Sequence, residues 1–270
     1  MTTTDSPRRP GRRRTTGASP VRTLERGLHV LSVLGAGGAA TLSDLSRRAG
    51  LSASTASRLL QTLEKAGYAE WDAASGQWRV GLGAYRVGAA YVGGSGLTGA
   101  ADPAMQRLVA ELGETCNLAV VQGGEAVYIH QVEGRQLVRM FTTLGAGASL
   151  HATGVGKALM AWQPPEEVRA RLGGGPYPAL TPHTLTTLAQ YLESLEAVRQ
   201  QGYALDDQER ELGVRCVAAP VHDAAGRVVA ALSVSAPTTR LSEARVPETA
   251  RRVREAAAEV SRRLGYGGPP

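Results

Sequence analysis

Residues 41–80 read TLSDLSRRAGLSASTASRLLQTLEKAGYAEWDAASGQWRV, and this stretch decides how the N-terminal end must fold. Ser52 stands before a run whose apolar positions, Ala53, Ala56, Leu59, Leu60, Leu63 and Ala66, recur at helical spacing. A hydroxyl at that point satisfies amides of the first turn, and Gly67 supplies the stop. Just upstream, Ser43 can cap a shorter helix with Leu42, Leu45 and Ala49 inward and Gly50 as a left-handed terminator. Two short helices joined by a tight glycine-containing turn have the layout of a helix-turn-helix. Downstream, Tyr68–Trp71 and Gln77–Val80 flank the turn Asp72-Ala73-Ala74-Ser75-Gly76, which predicts a hairpin placed as a wing. Upstream, Thr23 can cap a further helix with Leu24, Leu28 and Leu31 on one face, ended by Gly35, Gly37 and Gly38.

The outward side of the Ser52–Ala66 helix carries the functional information. Ser54, Thr55, Ser57, Arg58, Gln61 and Lys65 lie off the apolar stripe, and Glu64 is the sole acid among them. Hydroxyls and amides at a helix N-terminus hold phosphates. Arginine reads guanine O6 and N7, and glutamine reads adenine N6 and N7, in the major groove. With the cap Ser52, with Arg26 on the preceding helix and with Gln77 and Arg79 on the wing, these residues are the candidate contacts to a double-stranded DNA operator. Trp71 and Trp78 are expected to pack the wing on the core.

Charge placement supports the same partner. Residues 1–22 hold six arginines against Asp5, residues 23–82 are nearly balanced, and the remainder is neutral, so almost the whole net charge of +6 sits at the N-terminus. Residues 1–20, rich in Arg, Pro, Thr and Ser, are too polar to bury a core and are expected to be a disordered basic tail. Two cysteines, Cys116 and Cys216, cannot make a disulfide framework or a zinc site by themselves. No apolar run approaches the roughly 20 residues of a membrane span, and no secretory signal precedes the charges. The expectation is a soluble cytoplasmic protein with no membrane partner.

The sequence divides into the basic tail at 1–20, a winged helix-turn-helix at 21–82, a Gly/Ala-rich linker helix at 83–101, and an α+β domain at 102–267. In the last of these, residues 103–113 predict a helix with Pro103 in its first turn. Cys116–Gln122, Ala126–Val132 and Leu137–Thr142 predict strands, the first two joined at Gly123-Gly124. Leu188–Gln201 predicts a helix with Leu188, Leu192, Leu195 and Val198 inward. Arg215–Val221 and Val228–Ser235 predict a second hairpin, and Pro247–Leu264 a closing helix.

The segment His151-Ala152-Thr153-Gly154-Val155-Gly156-Lys157-Ala158 imitates a phosphate loop. His151 replaces its first glycine and Ala158 its magnesium-binding hydroxyl, so nucleotide hydrolysis is rejected. What survives is a tight loop before a helix, with amides around Gly154–Gly156 able to attract a carboxylate. His151, His183 and His222 are isolated, and neither a catalytic metal nor a cofactor is expected.

The stretches TLERGLHVLSVL, TLSDLSRRAGLSASTASRLLQTLEKAGYAEWD, WRVGLG, HATGVGKALMAW, LTPHTLTTLAQYLESLEAVRQQGYALDDQERELGVRCVAAPVHDAAGRVVAALSVSAP and SRRLGY resemble the IclR-type transcriptional regulators. Together they span about residues 22–266, leaving the basic tail outside. The resemblance implies a winged helix-turn-helix, a linker helix and a GAF/PAS-like effector domain. It also implies a homodimer or dimer of dimers on an operator, with repression the commoner mode. The positions matching the family's effector pocket are Gly154 and Val155 as backbone donors, and Asp206, Cys216, Ser233 and Ser235 as polar side chains. Leu137 and Met140 match an apolar lid. Val155 departs from the smaller residue frequent in relatives and is expected to narrow the loop.

Two other functions were weighed. A hydrolase would recruit Ser233, His222 and Asp206, but Gly93-Gly94-Ser95-Gly96-Leu97 lacks the final glycine of a nucleophile elbow. A metabolite sensor that has lost its DNA role is disfavoured by the intact basic face of the Ser52–Ala66 helix.

Overall fold

The computed structural model describes residues 21–94, 96–136 and 142–268. The chain divides between Gly88 and Ala89 into two compact units.

The first unit holds α1 (Arg22–Gly37), α2 (Leu42–Ala49), α3 (Ala53–Lys65), β1 (Ala69–Asp72), β2 (Gln77–Val80) and the start of α4 (Leu82–Gly94). Helix α1 begins at Arg22 after an uncapped Val21, so Thr23 is inside it rather than its cap. Its buried residues are Val30 and Leu34, whereas Leu24 and Leu28 are 61% and 54% exposed. The expected Leu24–Leu28–Leu31 stripe is therefore not the core face; only the C-terminal half of α1 reaches the core, through Val30, Leu34 and the partly buried Val33. Helix α2 is capped by Thr41, one position before the helix, with its Oγ1 accepting from Asp44 N at 3.2 Å. Ser43 is thus a first-turn residue and not the cap. Gly50 ends α2 in the left-handed region, at φ 63°.

Helix α3 starts behind Ser52, whose Oγ accepts from Thr55 N. Ala56, Leu59 and Leu60 are buried and Leu63 half-buried, but Ala53 and Ala66 at the ends are exposed. The wing pairs Trp71 with Trp78, their rings 5.3 Å apart. Trp78 is buried and bridges to Ala40, while Trp71 lies 41% exposed, so only one tryptophan anchors the wing to the core. The chain leaves the wing across Gly67: Gly83 N donates to Gly67 O, and a Cβ at Gly81 or Gly83 would stand 2.5 or 2.7 Å from that oxygen. That clash is why WRVGLG carries two glycines.

The second unit is a six-stranded, wholly antiparallel sheet ordered β5-β4-β3-β8-β7-β6, with β3 (Thr115–Gln122), β4 (Glu125–Val132), β5 (Gly147–Ser149), β6 (Ala204–Asp207), β7 (Val214–His222) and β8 (Val228–Pro237). Helices α5 (Gly96–Leu112) and α9 (Val246–Arg263) cover one face over Leu118, Val217, Leu232 and Val234. Helices α6 (Gly154–Met160) and α8 (Leu188–Gln201) cover the other over Ala119, Ala218 and Ala231, and α7 (Pro165–Leu172) packs Val168 into the same cluster. Alanine on that face lets the helices approach closely, as a chain poor in aromatics requires.

Helix α5 starts seven residues before Pro103, which lies inside it, so the expected start at 103 is corrected. Leu97, Ala100 and Ala101 pack on the core, and that burial holds the turns before the proline despite Gly96 and Gly99. The strand expected at Leu137–Thr142 falls largely outside the described residues; Thr142 is not in a strand, and β5 forms farther on. Among the described residues no helix is long and apolar enough to cross a membrane.

Candidate functional sites

The outward face of α3 is open. Ser54, Arg58, Gln61 and Lys65 are exposed and Thr55 and Ser57 half-exposed. The hydroxyls of Ser54 and Thr55 lie 3.2 and 2.9 Å from Ser52 Oγ, forming a cluster at the helix N-terminus. Among the described residues Arg58 and Lys65 form no ion pair and Gln61 no side-chain hydrogen bond. Three other cations of this unit are engaged: Arg47 pairs with Asp44, Arg48 donates to Val33 O, and Arg79 pairs with Glu70 at 3.1 Å, whereas Arg22, Arg26 and Arg86 are exposed and form no ion pair among the described residues. Arg79 on the wing is therefore already tethered, while Gln77 is half-buried and Arg26 on α1 is exposed.

The second unit brings the other predicted residues together. Register runs Asp206, Cys216, Ser235, Thr115 across β6, β7, β8 and β3, with Ser233 opposite both Ala218 and Asn117 in the next row. Directly paired antiparallel residues share a face, and here it is the α6 face. Gly154 closes the row from above: a Cβ there would lie 3.3 Å from both Cys216 Sγ and its carbonyl oxygen. Asp206 Oδ1 accepts from Glu209 N at 2.8 Å. Burial, reinforced by the Glu209 carboxylate, pushes the Asp206 carboxyl up to about 6. Burial and the nearby Asp206 push the Cys216 thiol up to about 12. Ser233 Oγ is buried and, among the described residues, has no oxygen or nitrogen partner, with only the neighbouring Cys216 thiol, a weak one, within reach.

The loop before α6 differs from expectation in two respects. Thr153 caps the helix and its Oγ1 takes Gly156 N, so that amide is not open to a ligand. The Val155 side chain is 1% exposed and packs into the core with Ala119, Leu150 and Ala218, so it does not narrow the loop. Leu137 and Met140 lie outside the described residues. Ser233, His222 and Asp206 do not assemble as a triad. Ser233 faces Ala218, and His222 is four residues farther along β7, roughly 13 Å away. Among the described residues no His, Cys, Asp and Glu cluster could hold a metal ion.

Residues 23–73 match the IclR helix-turn-helix domain, and residues 89–262 match the domain described as bacterial transcriptional regulator IclR C-terminal. The chain belongs to the IclR family of transcriptional regulators. Among its IclR relatives, the HTH-type transcriptional repressor AllR of Escherichia coli K12 is 38% identical over 263 residues, covering 97% of each chain. AllR of Salmonella typhimurium is 39% identical, covering 97% of this chain and 96% of its own. Of solved structures, the IclR regulator from Alicyclobacillus acidocaldarius superposes with a TM-score of 0.83 at 25% identity, over 92% of this chain and all of its own. An IclR homolog from Microbacterium hydrocarbonoxydans complexed with 4-hydroxybenzoate gives 0.79 at 28% identity, over 90% and 98%.

Within this IclR chain, sequence reasoning missed the polar neighbours of the β7–β8 row. Asn117 is buried opposite Ser233, and its Oδ1 accepts from Gln131 Nε2 at 2.9 Å. Tyr128 is held at about 12 by burial, with Cys216 and Asp206 near enough to add to the shift. Lys157, dismissed with the failed phosphate loop, is buried against Glu209 and the Leu205 carbonyl. Asn117 in an otherwise apolar strand was the one signal available; the others needed the sheet register.

Proposed function

We propose that this regulator is a ligand-responsive repressor of a metabolic operon. It binds as a homodimer or dimer of dimers and places α3 in the major groove of an operator. The observation that carries the reading is the free outward face of α3, with Arg58, Gln61 and Lys65 presented to solvent while Arg47, Arg48 and Arg79 are bonded within the protein. The arginine and the glutamine suit guanine and adenine edges, and the hydroxyl cluster behind Ser52 suits a phosphate. Arg26, Gln77 and Arg79 act as backbone contacts around that core, Arg79 after release from Glu70. The repressor mode is supported by the AllR relatives.

The effector cleft lies between α6 and the β3–β8–β7–β6 rows. Gly154 and Val155 offer amides, and Asp206, Cys216, Ser233 and Ser235 offer polar side chains, while Leu137 and Met140, outside the described residues, match the family's apolar lid. A buried hydroxyl with no partner but a thiol is costly unless a ligand completes it, and Ser233 stands in that position. The ligand class is a small organic acid or a hydroxylated relative, a reading supported by the neighbour solved with 4-hydroxybenzoate. Ligand binding shifts the population of domain arrangements and thereby operator affinity.

The test joins two measurements. Fluorescence anisotropy with DNA from upstream of its own gene should find a site that competes specifically against random duplex. A thermal-shift screen of small carboxylates and aromatic acids should find a compound that raises Tm and changes that affinity. Ser233→Ala and Asp206→Asn should abolish the shift but not the DNA binding. A chain with no sequence preference would defeat the reading.

A further inference from the structure

A groove of about 710 Å³ lies at the free edge of β7 in the second unit, apart from the cleft under α6 and within the size range of small-molecule sites. Its floor is Ala219, Pro220 and His222, beyond the point where β6 stops pairing at Ala218. One wall is a single stripe of α9 and the other is the C-terminal end of α8. The base is held firmly, because Ser261 Oγ accepts from His222 N at 2.9 Å and donates to Ala257 O at 2.8 Å.

The two ends of the groove differ chemically. At one end three aromatic rings meet: His222 stacks on Tyr266 at 4.9 Å, and Trp162 meets His222 edge-on at 5.7 Å. Trp162 remains 40% exposed, so much of its ring is open to a ligand. At the other end the Arg254 guanidinium lies against Gly202, where a Cβ would come within 2.9 Å of Nε. Arg199 and Arg251 in the same lining are paired with Glu196 and with Glu248 and Glu255. Arg254 and Arg262 form no ion pair among the described residues. They stand two helical turns apart, about 12 Å along α9, so the free positive charge is drawn out along the groove.

We propose that this groove is a second small-molecule site, taking an anion with a planar ring and a phosphoryl chain, of nucleoside diphosphate size. The ring packs on Trp162 beside Arg262, and the phosphates reach Arg254. Guanidinium groups suit both tasks, stacking on rings and binding phosphate in a fork. The site is separate from the cleft under α6 and does not depend on that cleft's ligand.

Isothermal titration calorimetry of the full chain with adenosine 5′-diphosphate tests this, with adenosine and pyrophosphate as single-feature controls. The diphosphate should bind more tightly than either control. Its Kd should rise at least tenfold in Arg254→Gln/Arg262→Gln and in Trp162→Ala, with Tm of the free proteins unchanged, and should be unaffected by Ser233→Ala. The proposal is overturned by no binding, by a control binding as tightly, by indifference to both groove variants, or by loss in Ser233→Ala.

Discussion

Lys157 Nζ meets Glu209 Oε1 in the interior of the effector domain and also donates to the Leu205 carbonyl, tying α6 to the end of β6. The second carboxylate oxygen of Glu209 is buried without a partner. Removing the lysine leaves that charge in the interior alone, the costly way to break such a pair. Lys157→Met should cost about 3–5 kcal/mol in urea unfolding. Adding Glu209→Gln should restore most of it.

Asp206 gives a pH dependence of defined sign. Its carboxyl titrates at about 6 when folded, because of burial and then Glu209, against about 3.9 unfolded. The folded chain therefore holds this proton more tightly. Its contribution is fully present below about pH 4 and lost as pH rises through about 6. The stability of Asp206→Asn relative to wild type should increase from pH 4 to pH 7, read from Tm at each pH. A constant difference would contradict the assignment.

The basic tail predicts a salt effect. Five arginines fall within residues 1–20, outside the described residues, and each phosphate they neutralise adds roughly 0.9 to the slope of log affinity against log salt. Deleting residues 1–20 should flatten that slope without changing which sequence is preferred.

The exposed apolar side chains of the first unit predict self-association. Leu24 and Leu28 make an exposed pair on α1, with Val21 exposed just before it, and Val80, Leu82 and Tyr85 are exposed at the end of the wing and the start of α4. Leu24→Lys/Leu28→Lys should shift the sedimentation coefficient toward a smaller species and leave Tm nearly unchanged, since neither leucine is in the core.

These leucines also show where reading by periodicity failed. Leu24, Leu28 and Leu31 are spaced as well for a core as Val30 and Leu34 are, and nothing local says which stripe faces inward. Ser52, Gly50 and Gly67 were legible because capping is chemistry within a few residues of the helix end. The three hairpins were legible from turn residues and alternation. Pro103 misled, because the turns before it are held by core packing of Leu97, Ala100 and Ala101, which no local rule sees. In the cleft, Ser233 and Cys216 could be named from the resemblance. Asn117 and Tyr128 join them only through a register that spans more than a hundred residues, and Glu209 through its contacts with Asp206 and Lys157.

The central claim is that the open side of α3 reads DNA sequence. Binding-site selection from a random duplex library, run in parallel on wild type and on Arg58→Ala, tests it most directly. The wild type should enrich a two-fold repeat with half-sites separated by one or more helical turns of roughly 34 Å. The variant should lose discrimination at one base pair of each half-site, by about 1–3 kcal/mol. An identical selected sequence at undiminished affinity would contradict it.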